Sequence, residues 1–207
     1  DAEFVVLDLR AGLDAQVLDF LPHTNSGVLI VAPHHPAATL AASEIVKAQI
    51  YRSLRILFHE SSPLFADSTL AAHRPRIVDL LDRTEDVYDD AVPNLEGFLD
   101  ALQVELGPHP MLRVLDDYLG LFRVHYVLNL FDGIESSYQE AVEPFVRNLA
   151  RHVSPRLSLS QLGWIVADDA TMRQALTERR PVLLGERTPA RQEEKAPGSP
   201  SALDRLA

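Results

Sequence analysis

Short runs of apolar residues divide this chain into segments whose pattern predicts strands. The runs are rich in Val, Ile and Leu, they are bounded by polar residues, Gly or Pro, and they cover residues 4–9, 28–32, 124–130 and 162–167. They are continuous rather than alternating, which is typical of strands buried on both faces of a parallel sheet. Each is also shorter than an ordinary helix.

Helical periodicity separates these runs, with apolar residues recurring at spacings of three and four. The helical stretches are residues 14–21, 37–58, 135–152 and 169–180. Pro144 should kink or break the third stretch, because proline lacks a backbone N–H. Asp168 should cap the fourth stretch and Pro181 should end it. Alternating strands and helices predict an α/β fold, here part of a doubly wound, mostly parallel sheet.

The middle of the chain interrupts this alternation. Residues 59–123 contain no convincing strand, and their periodicity predicts helices over 77–87, 95–106 and 111–119. We expect a helical insertion laid over one face or edge of the sheet. Acidic residues crowd this region, and such a run is usually a solvated face. Beyond the domain, which we place at residues 1–187, residues 188–207 are polar and predict a flexible tail.

Composition narrows the classes of function. The 207 residues include 30 acidic and 19 basic side chains, for a net charge of -11, which argues against a general nucleic-acid binder. The chain has no cysteine, which excludes disulfides, Cys-ligated zinc and thiol nucleophiles and fits a reducing compartment such as the cytoplasm. No apolar run approaches the roughly 20 residues of a spanning helix, so the sequence carries no strong membrane signal.

The segment from Asp8 to Gly12 is the best local candidate for chemistry. An Asp at the carboxyl end of a buried strand lies where doubly wound sheets bind ligands. Such a carboxylate can hold Mg²⁺, directly or through water, and a glycine nearby lets the backbone approach a phosphate. The alternative is that Asp8 caps the next helix.

Polar residues also follow the other predicted strands. Asn129 ends the third run, and its amide offers both a donor and an acceptor, which suits a nucleobase edge; a turn or cap is the alternative. His34 and His35 follow the second run and could belong to a metal site with Asp8, although adjacent residues of an extended segment point apart. Trp164 is expected in the core. The sequence contains no G-x-x-x-x-G-K-[ST] loop, no G-x-S-x-G and no H-E-x-x-H.

Taken in order, these segments resemble the MinD/ParA P-loop ATPases of the SIMIBI class, most of all the FlhG/FleN-like branch. Residues 4–14 (FVVLDLRAGLD) and 27–33 (GVLIVAP) are similar to the family's switch II strand and the strand after it. Residues 124–129 (VHYVLN) resemble the strand that ends in an adenine-contacting Asn. Residues 162–184 resemble the closing strand and helix. The resemblance covers roughly residues 3–184.

The resemblance implies the C-terminal part of an ATP-binding switch. Asp8 would organise Mg²⁺ through water, and Gly12 would sense the γ-phosphate. Asn129 would read the adenine edge, and the backbone near Ala167 and Asp168 would line the adenine pocket. ATP and Mg²⁺ would bind together with an N-terminal part carrying the Walker A loop. The complete protein would form a nucleotide-dependent homodimer that binds a protein partner and controls flagellar number, division site or cargo partitioning.

Two departures from the family pattern motivate an alternative. Arg10 stands where the family usually has Pro or a small residue, and the 207 residues carry no Walker A loop. The alternative is a non-enzymatic interaction module of the same fold with a decayed site. The chain starts Asp1-Ala2-Glu3 without Met and runs at once into an apolar segment, so we expect a fragment that cannot hydrolyse ATP alone.

Overall fold

The computed structural model describes residues 3–33, 35–85 and 94–179. They form an α/β fold around an open sheet of three parallel strands in the order β1-β2-β3. The elements are α1 (Ala15–Leu18), β1 (Asn25–Val31), α2 (Pro36–Leu57), a 3₁₀ turn (Pro63–Ala66), α3 (Ser68–Glu85), α4 (Leu95–Leu106), α5 (Pro110–Leu121), β2 (Arg123–Phe131), α6 (Ile134–Ser137), a π-helical turn (Tyr138–Val142), α7 (Glu143–His152), β3 (Ser158–Val166) and α8 (Asp169–Glu178). One compact unit ends at Ala167, and α8 belongs to a second that begins at Asp168.

Helix α2 organises the core. Val46, Ile50 and Leu54 are fully buried at four-residue spacing, which makes one continuous apolar stripe on the helix. This stripe belongs to the same buried cluster as Leu29 of β1 and Leu128 of β2. The helix layer therefore covers one face of the sheet. None of the described helices is both long and apolar enough to cross a membrane.

A buried serine joins β1 to β2 where their pairing is irregular. The register shifts between Asn25 and Val28. Within this gap Ser26 is fully buried, and its hydroxyl accepts the N–H of His125 at 2.8 Å. Gly27 follows with φ 64°, a left-handed conformation that favours glycine. A side-chain oxygen thus replaces a backbone acceptor in the sheet.

The helical insertion between β1 and β2 is confirmed, with one boundary moved. Helix α3 begins at Ser68 rather than at residue 77 and continues through Pro75. Proline removes one helical hydrogen bond, but Leu70 and Ile77 on either side are both buried, and their packing outweighs that loss. The Arg55 guanidinium links α2 to the insertion, because its Nε (3.0 Å) and Nη2 (2.6 Å) donate hydrogen bonds to the Glu85 carboxylate of α3.

The helix around Pro144 changes its hydrogen-bonding pattern but does not break, because the backbone stays helical from Ser137 to Glu143. Helix α6 passes into the π-helical turn Tyr138–Val142, and α7 begins directly before the proline. A π turn widens the hydrogen-bonding pattern, so the helix accommodates a residue without an N–H. The Phe145 ring of α7 then packs edge-on against Tyr126 of β2, with 5.7 Å between ring centroids.

The prediction of a strand over residues 4–9 is wrong. The segment has no strand pairing among the described residues, and Phe4, Val5 and Val6 are about 80–90% exposed (81%, 78% and 89%). An extended segment becomes a strand only when a neighbour satisfies its backbone groups. Both edges of the observed sheet, at β1 and β3, pair with no other described strand. The apolar sequence is present, but its partner strand is not among the described residues.

The sheet has an open apolar face. Val28 and Ile30 of β1 are 58% and 65% exposed, and Ile165 of β3 is 53% exposed. The register pairs Ile30 with Val127 and Asn129 with Ile165, so these side chains lie on the same side of the sheet. The described helices of the first unit therefore leave one face without a layer, although parallel sheets are normally covered on both faces.

We expect Ser26→Ala to lower the free energy of unfolding by about 1–3 kcal/mol, because the buried N–H of His125 loses its acceptor. Urea unfolding followed by circular dichroism measures the change. Ser160→Ala is the matched control, since Ser160 lies opposite His125 on β3 and its hydroxyl makes no hydrogen bond within the described chain. Equal losses in the two variants would contradict the role assigned to Ser26.

Candidate functional site

The carboxyl ends of the three strands form the candidate site. Because the strands are parallel, β1, β2 and β3 all end at the same edge of the sheet, at Val31, Phe131 and Val166. Open α/β sheets bind their ligands in the crevice outside this edge. Helix α2 begins close after β1, with Pro36 in its first turn.

Asn129 lies at this edge, and within the described part of the chain its amide has no partner. It is half-buried near the end of β2 and stands in register with Ile165. Its side chain forms no hydrogen bond with any residue that the structure describes. The amide therefore has both a donor and an acceptor available, on the open side of the sheet.

A strained bulge follows Asn129. Leu130 has φ 60°, which is left-handed and unfavourable for a side chain of this size, and the β2–β3 register shifts there. Pairing resumes at Phe131, whose carbonyl accepts the Ala167 N–H at 2.9 Å. The structure thus brings two sequence-predicted site residues, Asn129 and Ala167, to the same edge. Strain of this kind clusters at functional sites.

Asp168 acts as the predicted helix cap. One carboxylate oxygen accepts the backbone N–H groups of Ala170 (3.0 Å) and Thr171 (2.9 Å), and the other accepts the Thr171 hydroxyl (2.5 Å). The Thr171 side chain, followed by the Thr171 backbone, lowers the pKa of Asp168 below its usual value. The carboxylate is therefore ionised at neutral pH and is occupied by its own helix.

Asp8 and Gly12 lie ahead of α1 in a segment without helix or strand, where Asp8 is exposed and Gly12 is half-buried in a bend. Gly12 has φ 146°, within the region that favours glycine, and the neighbouring Arg10 forms an ion pair with Asp14. No strand pairing or hydrogen bond among the described residues links this segment to β2. The structure therefore does not bring Asp8 to Asn129.

The histidine candidates form no metal site that the structure describes. His34 lies outside the described residues. His35 is exposed at the N-cap position of α2, where its side chain makes no capping hydrogen bond. Across residues 3–33, 35–85 and 94–179, no group of three or more His, Asp or Glu side chains is placed to hold a metal ion.

The prediction that Trp164 belongs to the core is wrong. The side chain is 58% exposed and stacks on Phe131, with 5.3 Å between ring centroids. Its register partner is Leu128, which is buried, so Trp164 lies on the helix side of the sheet and Asn129 on the other. Trp164 is exposed because β3 is an edge strand that the helix layer does not fully cover. The apolar residues beside Trp164 in the sequence do not indicate that β3 is an edge strand.

Comparisons with protein-family models, with curated proteins and with solved structures found no match to this chain.

Substitutions at Leu130 test whether the bulge is strained. A β-branched residue is the least tolerant of positive φ, whereas Asn tolerates it. We expect Leu130→Val to be less stable than Leu130→Asn by about 1–2 kcal/mol in urea unfolding, although Val is the better β former and the more apolar residue. The reverse order would mean that Leu130 occupies ordinary strand backbone.

Proposed function

We propose that this chain is the C-terminal portion of a MinD/ParA-like ATP-binding switch of the FlhG/FleN-like branch. In this proposal nucleotide state sets homodimerisation and the binding of a protein partner, and the switch places a flagellum, a division site or a cargo. The protein acts in the cytoplasm, with any membrane attachment peripheral. One observation carries the proposal: the Asn129 amide, which has no hydrogen-bond partner among the described residues, lies at the same carboxyl edge of the parallel sheet as the Ala167 backbone.

The geometry supports an adenine subsite at this edge. The Asn129 amide can donate to a ring nitrogen and accept from the exocyclic amino group of adenine. The Ala167 N–H is already bound to the Phe131 carbonyl, so the Ala167 carbonyl oxygen is the backbone group that remains for the base. The strained Leu130 fixes the spacing between these two groups. The Asp168 carboxylate is occupied by the cap of its own helix, so we assign it no contact with the base.

Binding the phosphates of ATP would require polypeptide other than residues 1–207. Phosphoryl transfer requires a backbone cradle and a Lys for charge stabilisation, and these 207 residues include no Walker A loop. The edge of β1, which pairs with no other described strand, leaves room for a further strand, and the exposed Val28 and Ile30 leave room for a covering layer. In the complete site, Asp8 would hold Mg²⁺ through water and Gly12 would contact the γ-phosphate. This chain alone is then expected to lack ATPase activity.

The open apolar face favours a second candidate, a non-enzymatic interaction module. Val28, Ile30 and Ile165 would then contact another protein directly, and no nucleotide would be needed. The two candidates differ in one respect that can be measured. Only the switch requires the Asn129 amide to recognise adenine.

Photolabelling with 2-azidoadenosine tests the adenine subsite in the full chain. We expect label in peptides from β2 and the end of β3, and competition by adenosine but not by guanosine. Asn129→Ala should reduce labelling about tenfold or more, since a group that reads a base edge contributes roughly 1–3 kcal/mol. Mass spectrometry of proteolysed samples locates the label.

Gln103→Ala is the matched control, because it removes an exposed amide from α4. Labelling should stay unchanged in this variant. Labelling that survives Asn129→Ala, or that guanosine blocks as well as adenosine, would contradict the proposal and favour the interaction module.

A further inference from the structure

A large cavity opens along the second half of α2. Its volume is about 940 Å³, which lies within the range of small-molecule sites. Its apolar wall comes from three separate segments of the chain. The contributing side chains are Leu13, Ala48, Ile56, Leu57, Pro63 and Leu64.

Two polar groups in this cavity have no partner among the residues that the structure describes. Lys47 and Tyr51 are one helical turn apart on α2, so they share a face of the helix, and both line the cavity. Lys47 forms no ion pair with any residue that the structure describes. Tyr51 is only 2% exposed, and its hydroxyl makes no hydrogen bond within the described chain. An unsatisfied buried hydroxyl is costly, and a bound acceptor would remove that cost.

The other charges around the cavity are largely engaged. Arg52 is paired with Asp19, and Arg55 is paired with Asp82 and Glu85. Glu44 and Glu85 also line the cavity as carboxylates. Because Glu85 is the partner of Arg55, the described lining offers one cation without an ion pair, Lys47, beside one carboxylate without an ion pair, Glu44. Such a balance suits a head group with a single negative charge and disfavours one with two.

This cavity is distinct from the carboxyl edge of the sheet. Helix α2 starts near that edge at Pro36. At the helical rise of about 1.5 Å per residue, Lys47 lies roughly 16 Å further along the helix and Tyr51 lies beyond it. A ligand here would not occupy the Asn129 site, so binding in the cavity does not depend on the proposed function.

We infer that the cavity binds a singly charged alkyl carboxylate, the chemistry of a fatty acid. The carboxylate lies between the Lys47 ammonium and the Tyr51 hydroxyl, and both donate to it. The alkyl chain lies against the apolar wall and buries side chains such as Ile56, which is 52% exposed without a ligand. The apolar wall supplies the binding free energy and the two donors set the position of the head group.

Calorimetric titration of the full chain with dodecanoate, below its micelle concentration, tests this inference. We expect one molecule per chain and binding at least tenfold tighter than that of 1-dodecanol. Lys47→Met keeps the length of the side chain but removes its charge, and should weaken dodecanoate binding tenfold or more. Tyr51→Phe should weaken binding several-fold without loss of stability, because its hydroxyl has no partner to lose.

Two further variants separate the cavity from the open sheet face. Ala48→Phe fills the cavity and should abolish binding. Ile30→Ser removes an apolar side chain from the open face, 65% exposed in the structure, and should leave binding unchanged. If Ala48→Phe fails to fold, Lys47→Met and Tyr51→Phe still test the site. The inference is overturned if dodecanoate does not bind, if 1-dodecanol binds equally well, if Lys47→Met has no effect, or if Ile30→Ser alone abolishes binding.

Discussion

The apolar stripe of α2 against one face of the sheet is the interaction on which the rest of the structure depends. Val46, Ile50 and Leu54 are fully buried there. Because strand side chains alternate, burying one face of β1 and β2 fixes their register and sends every other side chain to the opposite face. Asn129 lies on that opposite face for this reason. The same helix anchors the insertion through Arg55 and lines the cavity through Lys47 and Tyr51.

The open face is the second constraint. A parallel sheet with helices on one side only exposes apolar strand residues that such folds normally cover. Here Val28, Ile30 and Ile165 are all more than half exposed, and the free edge of β1 lies beside them. This arrangement is consistent with a sheet that further polypeptide completes. Both candidate functions use that surface, one to complete a nucleotide site and the other to hold a partner directly.

Local patterns predicted the elements that satisfy their own hydrogen bonds or pack on a strong apolar stripe. The long helix α2 and the cap at Asp168 both depend on signals within a few residues. The strand predicted at residues 4–9 failed because a strand also needs a neighbour, and the prediction for Trp164 failed because its exposure depends on its edge position. In neither case do residues close in sequence decide the outcome.

The site was predictable only in part for the same reason. Asn129 and Ala167 could be placed at one edge because parallel strands end together. Three features could not be predicted: the left-handed Leu130, the hydrogen bond of the Ser26 hydroxyl between β1 and β2, and the cavity. Each depends on a register shift or on contact between separate segments of the chain. No pattern of residue types in a single sequence indicates which distant segments will contact one another.

The most direct measurement is the genomic sequence immediately upstream of the Asp1 codon. We predict an in-frame extension of at least about 100 residues, a size that can carry the rest of such a domain, with a Walker A loop. A strand of this extension would pair with β1, and its helices would cover the open face. A start codon close to Asp1 would contradict the proposed ATP-binding switch, and the open face would then be a binding surface in its own right.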